Sequence, residues 1–339
     1  MILVTGGTGL VGSHLLYHLL LENEQVRAIH LRTSNLETVK TVFSYYGSDA
    51  NSLYKNIQWV EADLNDIPAL ETAFANVTQV YHCAALISFS TSNYQKMRRV
   101  NIDGTTNIVN FCILNQVEKL CFVSSVAAIE NGQEGELMDE TDSWNDNSEK
   151  SGYSITKYGA EMEVWRASQE GVPVVIVNPG VIIGPGFWNK GSGKMFSSVK
   201  KGLKFYTNGT TGFVCVNDVV ELMIKLMKLG IENERFVLVS DNLTYKQVLE
   251  NIAKAIGVPK PRYKVGSNLL NIIWRLEWIK SKISGKEPLL TKYTARSSVA
   301  KHPYSSKKIQ NLLNYQFSSV DECIVQTAKI FGKNQIEKP

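Results

Sequence analysis

The stretch that decides the fold is MILVTGGTGLVGSHLLYHLLL, residues 1–21. Residues 2–4 form a short apolar run that predicts a buried strand, and residues 13–21 form an amphipathic segment that predicts a helix. Glycines stand between them at positions 6, 9 and 12. Glycine lets the backbone approach a phosphate, which the amides of a helix N-terminus then bind, although a tight turn without a ligand has the same spacing. The context favours a dinucleotide-binding turn, whose predicted contacts are Gly6, Thr8, Gly9, Leu10, Val11 and Gly12.

Beyond this turn, apolar β-branched runs alternate with helix-length segments, which is typical of βαβ units around a parallel sheet. The predicted strands are residues 2–4, 26–31, 57–61, 79–83, 120–124 and 174–178. We therefore expect an α/β fold in which residues 1–180 form a Rossmann-type, doubly wound parallel sheet that binds NAD(P).

The alternation weakens after Gly184, where glycine, lysine, asparagine and threonine interrupt the chain. Residues 213–216 and 236–240 predict short strands, and residues 245–256 predict a capped helix. We expect residues 181–339 to form mainly a smaller C-terminal substrate-binding lobe, with some segments returning to the Rossmann core.

One further helix is predicted where Trp274 and Trp278 stand a turn apart among apolar residues, within residues 269–283. Such a helix most often packs on its own domain, here the substrate lobe. The alternatives are a hydrophobic lid over a bulky apolar substrate and a weak contact with a membrane surface.

Composition and charge exclude some classes of binding partner. The chain has 36 Lys and Arg against 32 Asp and Glu, a net charge of +4, and the basic residues form no block. We expect a small-molecule substrate and no nucleic acid. No run of about 18 uncharged apolar residues occurs, so no membrane span is expected. The five cysteines lack metal-ligand spacing, which predicts reduced thiols and no metal site. The sequence starts directly with a predicted strand and shows no export signal, so a cytoplasmic location is expected.

The residues after the second strand, His30-Leu31-Arg32-Thr33-Ser34, indicate which dinucleotide binds. Sites that prefer NAD usually carry a carboxylate here, which binds the ribose 2′-OH. Arg32 and the neighbouring hydroxyls suit a 2′-phosphate better, unless Arg32 is only a solvated charge. We predict a preference for NADP(H), with NAD(H) still accepted. Asp63, which ends the third strand, is expected either to bind the adenine amino group or to cap the next helix.

A candidate catalytic group lies in YSITK, residues 153–157, where Tyr153 and Lys157 share one face of a helix. Hydride reduction of a carbonyl leaves an alkoxide that needs a proton. A phenol supplies one near neutral pH only when a nearby cation stabilises its phenolate. Ser125 follows a buried strand at the carboxyl edge of the sheet, so it is expected to bind the substrate oxygen and orient it towards Tyr153.

Seven motifs follow one another along the chain: TGGTGLVG at residues 5–12, ADL at 62–64, HCAA at 82–85, VNIDGT at 100–105, SS at 124–125, YSITK at 153–157 and NPGVIIGPG at 178–186. In this order they resemble the motifs of the extended short-chain dehydrogenase/reductase superfamily. The resemblance implies that Ser125 is the catalytic serine, Tyr153 the acid/base and Lys157 the residue that stabilises the phenolate. It also implies further cofactor contacts at Leu64, Ala84, Ala85, Tyr153, Lys157, Pro179, Gly180 and Val181.

Asn101 lies within the VNIDGT motif, and the resemblance assigns it to the proton path. An amide that caps or kinks a helix is the alternative interpretation.

Within the superfamily, residues 26–28, 32–35, 177–179 and 212–219 resemble the dihydroflavonol-reductase branch. The implied activity is NAD(P)(H)-dependent reduction of a ketone or oxidation of the matching secondary alcohol. Nucleotide-sugar epimerases commonly carry an arginine in the strand where this chain has Asn178-Pro179. An epimerase or dehydratase with tightly bound NAD is therefore the second hypothesis, and a non-catalytic cofactor sensor the third. Relatives often dimerise through helices beside the sheet, so a homodimer is the oligomeric state to test.

Overall fold

The computed structural model of the protein describes residues 1–47, 50–129, 135–142, 144, 150–284, 288 and 290–336. Its strands are β1 (Ile2–Thr5), β2 (Val26–His30), β3 (Gln58–Glu61), β4 (Gln79–His82), β5 (Lys119–Val123), β6 (Val174–Pro179), β7 (Val181–Ile183), β8 (Phe205–Tyr206), β9 (Thr210–Cys215), β10 (Glu234–Leu238), β11 (Asp241–Thr244) and β12 (Tyr263–Lys264).

The helices are α1 (Leu10–Leu21), α2 (Leu36–Ser44), α3 (Ala50–Tyr54), α4 (Ile67–Phe74), α5 (Tyr94–Arg98), α6 (Gly104–Leu114), α7 (Gly152–Gln169), α8 (Gly193–Lys200), α9 (Val216–Lys228), α10 (Tyr245–Ala255), α11 (Ser267–Ser284), α12 (Lys292–Ser297), α13 (Lys307–Leu313) and α14 (Val320–Ile336). A π-helical turn, Arg99–Asp103, joins α5 to α6. No helix in the described part of the chain is long and apolar enough to cross a membrane.

The central sheet has seven parallel strands in the order β10-β6-β5-β4-β1-β2-β3. The strand order reverses at the neighbours β1 and β4, which pair from Ile2 with Gln79 to Thr5 with His82. Ligands of doubly wound sheets bind at such a reversal, beyond the carboxyl ends of the strands. The predicted Rossmann-type sheet is confirmed, and the loops after β1, β4, β5 and β6 all start at this edge.

The sheet has one strand more than the six predicted for residues 1–180. β10, predicted as a short strand within residues 236–240, pairs with β6 as the seventh parallel strand. Its residues Phe236, Val237 and Leu238 are fully buried, as expected for a strand covered on both faces. All six strands predicted for residues 1–180 are present in the sheet, and a strand distant in sequence completes the same core.

A smaller sheet and three helices form a second core. Strands β11, β9 and β7 make a three-stranded sheet, against which α8, α10 and α14 contribute buried residues such as Phe196, Ile252 and Phe331. The predicted capped helix is confirmed as α10, which begins with a reciprocal cap between Thr244 and Gln247.

Candidate active site

The glycine turn between β1 and α1 is packed backbone against backbone. Gly6 has φ of +68°, and a Cβ there would stand 2.6 Å from the Ala84 amide nitrogen. A Cβ on Gly12 would stand 2.2 Å from the Gly6 carbonyl oxygen. Only glycine fits both positions, and the turn is thereby held against the end of β4.

The N-terminus of α1 is suited to an anion. Its cap residue is Gly9, no side chain caps the helix, and its first turn carries no acidic residue. The amides of Leu10, Val11 and Gly12 precede the first intrahelical donor, Ser13, whose amide binds the Gly9 carbonyl at 2.9 Å. A dinucleotide pyrophosphate therefore fits this turn, because the helix presents amides and partial positive charge without a competing carboxylate.

The loop after β2 reaches back to the glycine turn. The Thr8 hydroxyl lies 3.4 Å from the Ser34 hydroxyl, which also accepts from the Leu31 amide at 3.2 Å. Arg32 is exposed beside this contact. An exposed guanidinium next to two hydroxyls leaves room for a charged group at the edge of the turn.

Asp63 and Leu64 follow β3. The exposed Asp63 carboxylate accepts from the Asn65 amide at 2.9 Å, while Asp66 caps α4 by accepting from the Ala69 amide. The alternative prediction that Asp63 caps this helix was therefore wrong. Leu64 is buried, and its Cβ lies 2.8 Å from where a Cβ on Gly104 would stand. Its predicted contact with a cofactor competes with this packing role.

A buried hydrogen-bonded chain links the ends of β1 and β4. Thr5 Oγ1 lies 2.6 Å from His82 Nδ1, His82 Nε2 lies 2.9 Å from Thr105 Oγ1, and the Ala84 amide donates to Thr5 Oγ1 at 3.2 Å. Burial lowers the pKa of His82 to about 3, and the nearby Lys157 cation adds to this shift. The neutral ring thus holds Ala84 against the glycine turn, whereas the next residue, Ala85, is exposed.

Ser125, Tyr153 and Lys157 meet at the carboxyl end of β5. Ser125 Oγ accepts from the Ala127 amide at 3.1 Å. Burial raises the pKa of Tyr153, and a hydrogen bond with the Ser125 side chain opposes that increase. Lys157 Nζ donates to the Val123 carbonyl at 2.7 Å and lies 4.4 Å from the centre of the Phe122 ring. The structure therefore brings the three predicted catalytic residues to one edge of the sheet.

The Glu161 carboxylate, on the same helix as Lys157, favours the charged form of the Lys157 ammonium. Burial lowers the pKa of Lys157 to about 8, and the Glu161 carboxylate opposes the shift. Glu161 is fully buried and accepts from Ser124 Oγ at 2.6 Å and from Asn178 Nδ2 at 2.9 Å. It also pairs with Arg235 of β10 at 3.2 Å. The sequence prediction missed this network, although Glu161 lies four residues after Lys157 and hence on the same helix face.

Asn101 lies within the π-helical turn and spans two segments. Its side chain accepts from the Leu86 amide at 2.7 Å and donates to the Leu86 carbonyl and to Thr156 Oγ1, each at 3.0 Å. The Asn101 amide thus links the loop after β4 to α7. Asn101 itself lies in the widened π-helical turn between α5 and α6, in agreement with the alternative of a helix-kinking residue. A role in proton transfer stays a prediction.

The predicted proline segment lies beside this group. Pro179 ends β6, Val181 begins β7, and Gly180 joins them. A Cβ on Gly180 would stand 2.4 Å from the Gly212 carbonyl oxygen, so the chain bends where β9 approaches closely. Gly180 and Val181 are partly exposed at the carboxyl end of β6.

Comparisons with known proteins identify the family of this chain. The sequence matches the NAD dependent epimerase/dehydratase family over residues 2–238. It is 27% identical over 341 residues to a Synechocystis sp. protein named "Putative dihydroflavonol 4-reductase". This alignment covers 97% of this chain and 93% of the relative. It is also 27% identical over 272 residues to "Sterol demethylase protein B" of Methylococcus capsulatus, over 79% of this chain and 78% of that protein.

Among solved structures, UDP-glucose 4-epimerase of Thermus thermophilus in complex with NAD matches with a TM-score of 0.75 at 22% identity, over 98% of each chain. At this identity the match shows the fold alone. The family match covers well over half of the chain and includes the glycine turn, Ser125, Tyr153 and Lys157. The predicted resemblance is confirmed: the chain belongs to the NAD dependent epimerase/dehydratase family, the extended short-chain type of NAD-dependent reductases and epimerases.

Proposed function

We propose that this protein reduces a ketone with NAD(P)H, or oxidises the matching secondary alcohol with NAD(P)⁺, through Ser125, Tyr153 and Lys157. The observation that carries the proposal is the proximity of the Tyr153 phenol to the Ser125 side chain, which acts on the phenol's pKa, with buried Lys157 on the same helix as Tyr153. These groups stand at the sheet edge where the glycine turn begins. An acid, a second hydrogen-bond donor and a cation at one edge suit proton transfer to a carbonyl oxygen.

Each residue has a distinct part in the reaction. When bound, the nicotinamide supplies or accepts the hydride. Ser125 donates a hydrogen bond to the substrate oxygen, and Tyr153 gives its phenolic proton to that oxygen as the alcohol forms. Lys157 stabilises the resulting phenolate by its charge, and a proton from water restores the phenol. In the oxidative direction the same groups take the proton back.

The proposed cofactor is NADP(H), with NAD(H) accepted more weakly. The exposure of Arg32 and the contact between Ser34 and Thr8 support this proposal, because a guanidinium and hydroxyls would bind a 2′-phosphate through charge-assisted hydrogen bonds. Asp63 is proposed to bind the adenine amino group. The dissociation constants of NADPH and NADH, measured for the protein and for Arg32→Ala, test this assignment. A loss of NADPH affinity in the variant, with NADH affinity unchanged, supports it, and tighter binding of NADH by the wild-type protein overturns it.

The cofactor also needs contacts beyond the adenine end. Pro179, Gly180 and Val181 are proposed to border the nicotinamide, and Ala84 and Ala85 the pyrophosphate and the adjoining ribose. Lys157 is proposed to donate to the nicotinamide ribose as well as stabilise the phenolate.

The proposed substrate is a ketone with a bulky apolar group. Phe89, half exposed, lies in the loop after β4 with its ring 6.0 Å from the ring of Tyr153, and Ile87 in the same loop is also exposed. Apolar side chains beside the acid favour an apolar substrate over a nucleotide sugar. The names of the reductase and sterol-enzyme relatives point to the same class. A homodimer is the proposed assembly.

Tyr153→Phe tests the function directly. We expect turnover of a panel of aryl and alicyclic ketones with NADPH to fall by about 10²- to 10⁴-fold, because the variant lacks the acid. Cofactor affinity should stay within a few-fold of the wild-type value. Undiminished turnover in the variant contradicts the proposal. Wild-type protein that holds NAD through purification and turns over no ketone is an epimerase or a sensor instead.

A further inference from the structure

Helix α11 carries an apolar stripe that stays largely exposed within the described part of the chain. Leu270 is the buried residue of this helix, and Ile273 and Trp274 pack beside it against Val265 and Ala295. Other large apolar residues remain between 47% and 83% exposed, namely Leu269, Ile272, Leu276, Ile279 and Ile283. Their spacing alternates between three and four residues, so they follow one another along one face for the length of the helix.

This stripe is far more apolar than an ordinary exposed helix face. Single exposed apolar residues are common on protein surfaces, whereas a contiguous row marks a surface that contacts something else. Trp278 lies beside the row with about half of its surface exposed, and Lys282 Nζ lies 6.0 Å from the centre of its ring. Tryptophan and lysine together are typical of the boundary between water and acyl chains.

Positive charge surrounds the stripe. On α11, Arg275, Lys280 and Lys282 are exposed, and the single carboxylate, Glu277, lies 3.3 Å from Lys280. An excess of cations beside an apolar row distinguishes an anionic lipid surface from a neutral protein partner.

The ribbon of β8 and β12 extends this charge, because β12 leads into α11 through only two residues, Val265 and Gly266. Residues 200–206 and 260–266, which contain the ribbon, hold six Lys and Arg residues and no Asp or Glu. Two exposed aromatic rings, Phe205 and Tyr263, pair across the ribbon with their centres 5.8 Å apart.

We propose that α11 and the β8/β12 ribbon form a docking surface for a bilayer of anionic phospholipid. The helix lies in the plane of the surface with the Leu269 to Ile283 stripe between the lipid headgroups, while the cations of the helix and the ribbon bind phosphate groups. A second copy of this chain is a poorer occupant, because apposed α11 faces would bring together like charges with few carboxylates to balance them.

The test is sedimentation of the full-length protein with phospholipid vesicles. We expect binding to vesicles of equal parts phosphatidylcholine and phosphatidylglycerol, weak binding to phosphatidylcholine alone, and loss of binding at high salt. The double variant Leu276→Gln/Ile279→Gln should bind at least about tenfold more weakly, because each change removes buried apolar surface at the lipid. Arg262→Gln/Lys264→Gln should weaken binding to the anionic vesicles by about tenfold and leave the weak binding to phosphatidylcholine unchanged.

Leu114→Gln is the matched control, since Leu114 is 75% exposed on α6, within the Rossmann sheet domain. It should bind vesicles as the wild-type protein does. All four changes of the two test variants are at exposed positions, so thermal melting should show them folded. Equal binding of wild type and the stripe variant overturns the proposal, as does the absence of binding to either vesicle. A dimer that dissociates in the stripe variant, without vesicle binding, would assign the stripe to a second copy.

Discussion

Replacing Glu161 with glutamine should destabilise the protein far more than the same change elsewhere on α7. One carboxylate oxygen of Glu161 accepts from Ser124 and Asn178, and the other pairs with Arg235 at 3.2 Å. A glutamine that keeps its oxygen towards Ser124 and Asn178 turns its NH₂ group towards the Arg235 guanidinium. Two donors then face each other, and Arg235 keeps its bonds to the Glu140 and Asp142 carbonyls but loses its carboxylate partner.

The structure sets the size of this effect. The Glu161 side chain is 0% exposed and that of Arg235 17% exposed, so water replaces the lost contact only in part. Breaking a buried ion pair from one side typically costs about 3 to 5 kcal/mol. Glu163→Gln is the control on the same helix, because Glu163 pairs with Arg166 at a partly exposed site. That change should cost less than about 1 kcal/mol.

Urea denaturation followed by circular dichroism measures both variants. The free energy of unfolding should fall by about 3 kcal/mol or more for Glu161→Gln relative to Glu163→Gln. In the double variant Glu161→Gln/Arg235→Met, the cost should be smaller than the sum of the two single costs, because no unpaired guanidinium remains. A Glu161→Gln cost below about 1 kcal/mol would refute the inference that this carboxylate is an internal counter-ion.

Three further predictions follow from the same geometry. Gly12→Ala should weaken cofactor binding by at least about tenfold in fluorescence titration, because the alanine Cβ would clash with the Gly6 backbone. The control Gly230→Ala, whose Cβ meets open space, should bind the cofactor as the wild-type protein does. Equal cofactor affinities of the two variants would contradict this prediction. Ketone reduction should fall as pH rises through about 8, since Lys157 loses its proton there, and a rate that is flat to pH 10 would argue against a role for its charge. Stability should be greatest above pH 6.5 and fall below it, because His82 and His14, with pKa values lowered by burial to about 3 and about 4, stay neutral in the fold while the unfolded chain takes up protons. The loss should reach about 2 kcal/mol per histidine at pH 5 in denaturation curves, and an unchanged free energy of unfolding would contradict it.

The parts of the fold that could be predicted are those with a local cause. The strand, glycine turn and helix of residues 1–21 are adjacent in sequence, and the cap at Thr244 is set within one turn of α10. The place of β10 was not predictable in this way, because its partner β6 lies far away along the chain. The choice between Asp63 and Asp66 as the cap of α4 did have a local signal that the prediction overlooked: Pro68 stands in the first turn of the helix, immediately after Asp66 and Ile67.

The same distinction between local and distant causes applies to the candidate site. Tyr153 and Lys157 are found from sequence because their spacing on one helix is itself the chemical requirement. The Arg235 partner of Glu161 comes from β10, so only the folded chain brings it to the site. The exposure of the α11 stripe was equally out of reach, because an apolar helix pattern predicts packing and does not say whether anything covers it.

A crystal structure of the protein with NADP(H) would show directly whether a dinucleotide binds beside Ser125, Tyr153 and Lys157. We expect the pyrophosphate on the amides that begin α1, and the Tyr153 and Ser125 hydroxyls facing the nicotinamide with room for one ligand oxygen between them. A dinucleotide bound away from the glycine turn, or a Tyr153 hydroxyl directed away from the nicotinamide, would contradict it.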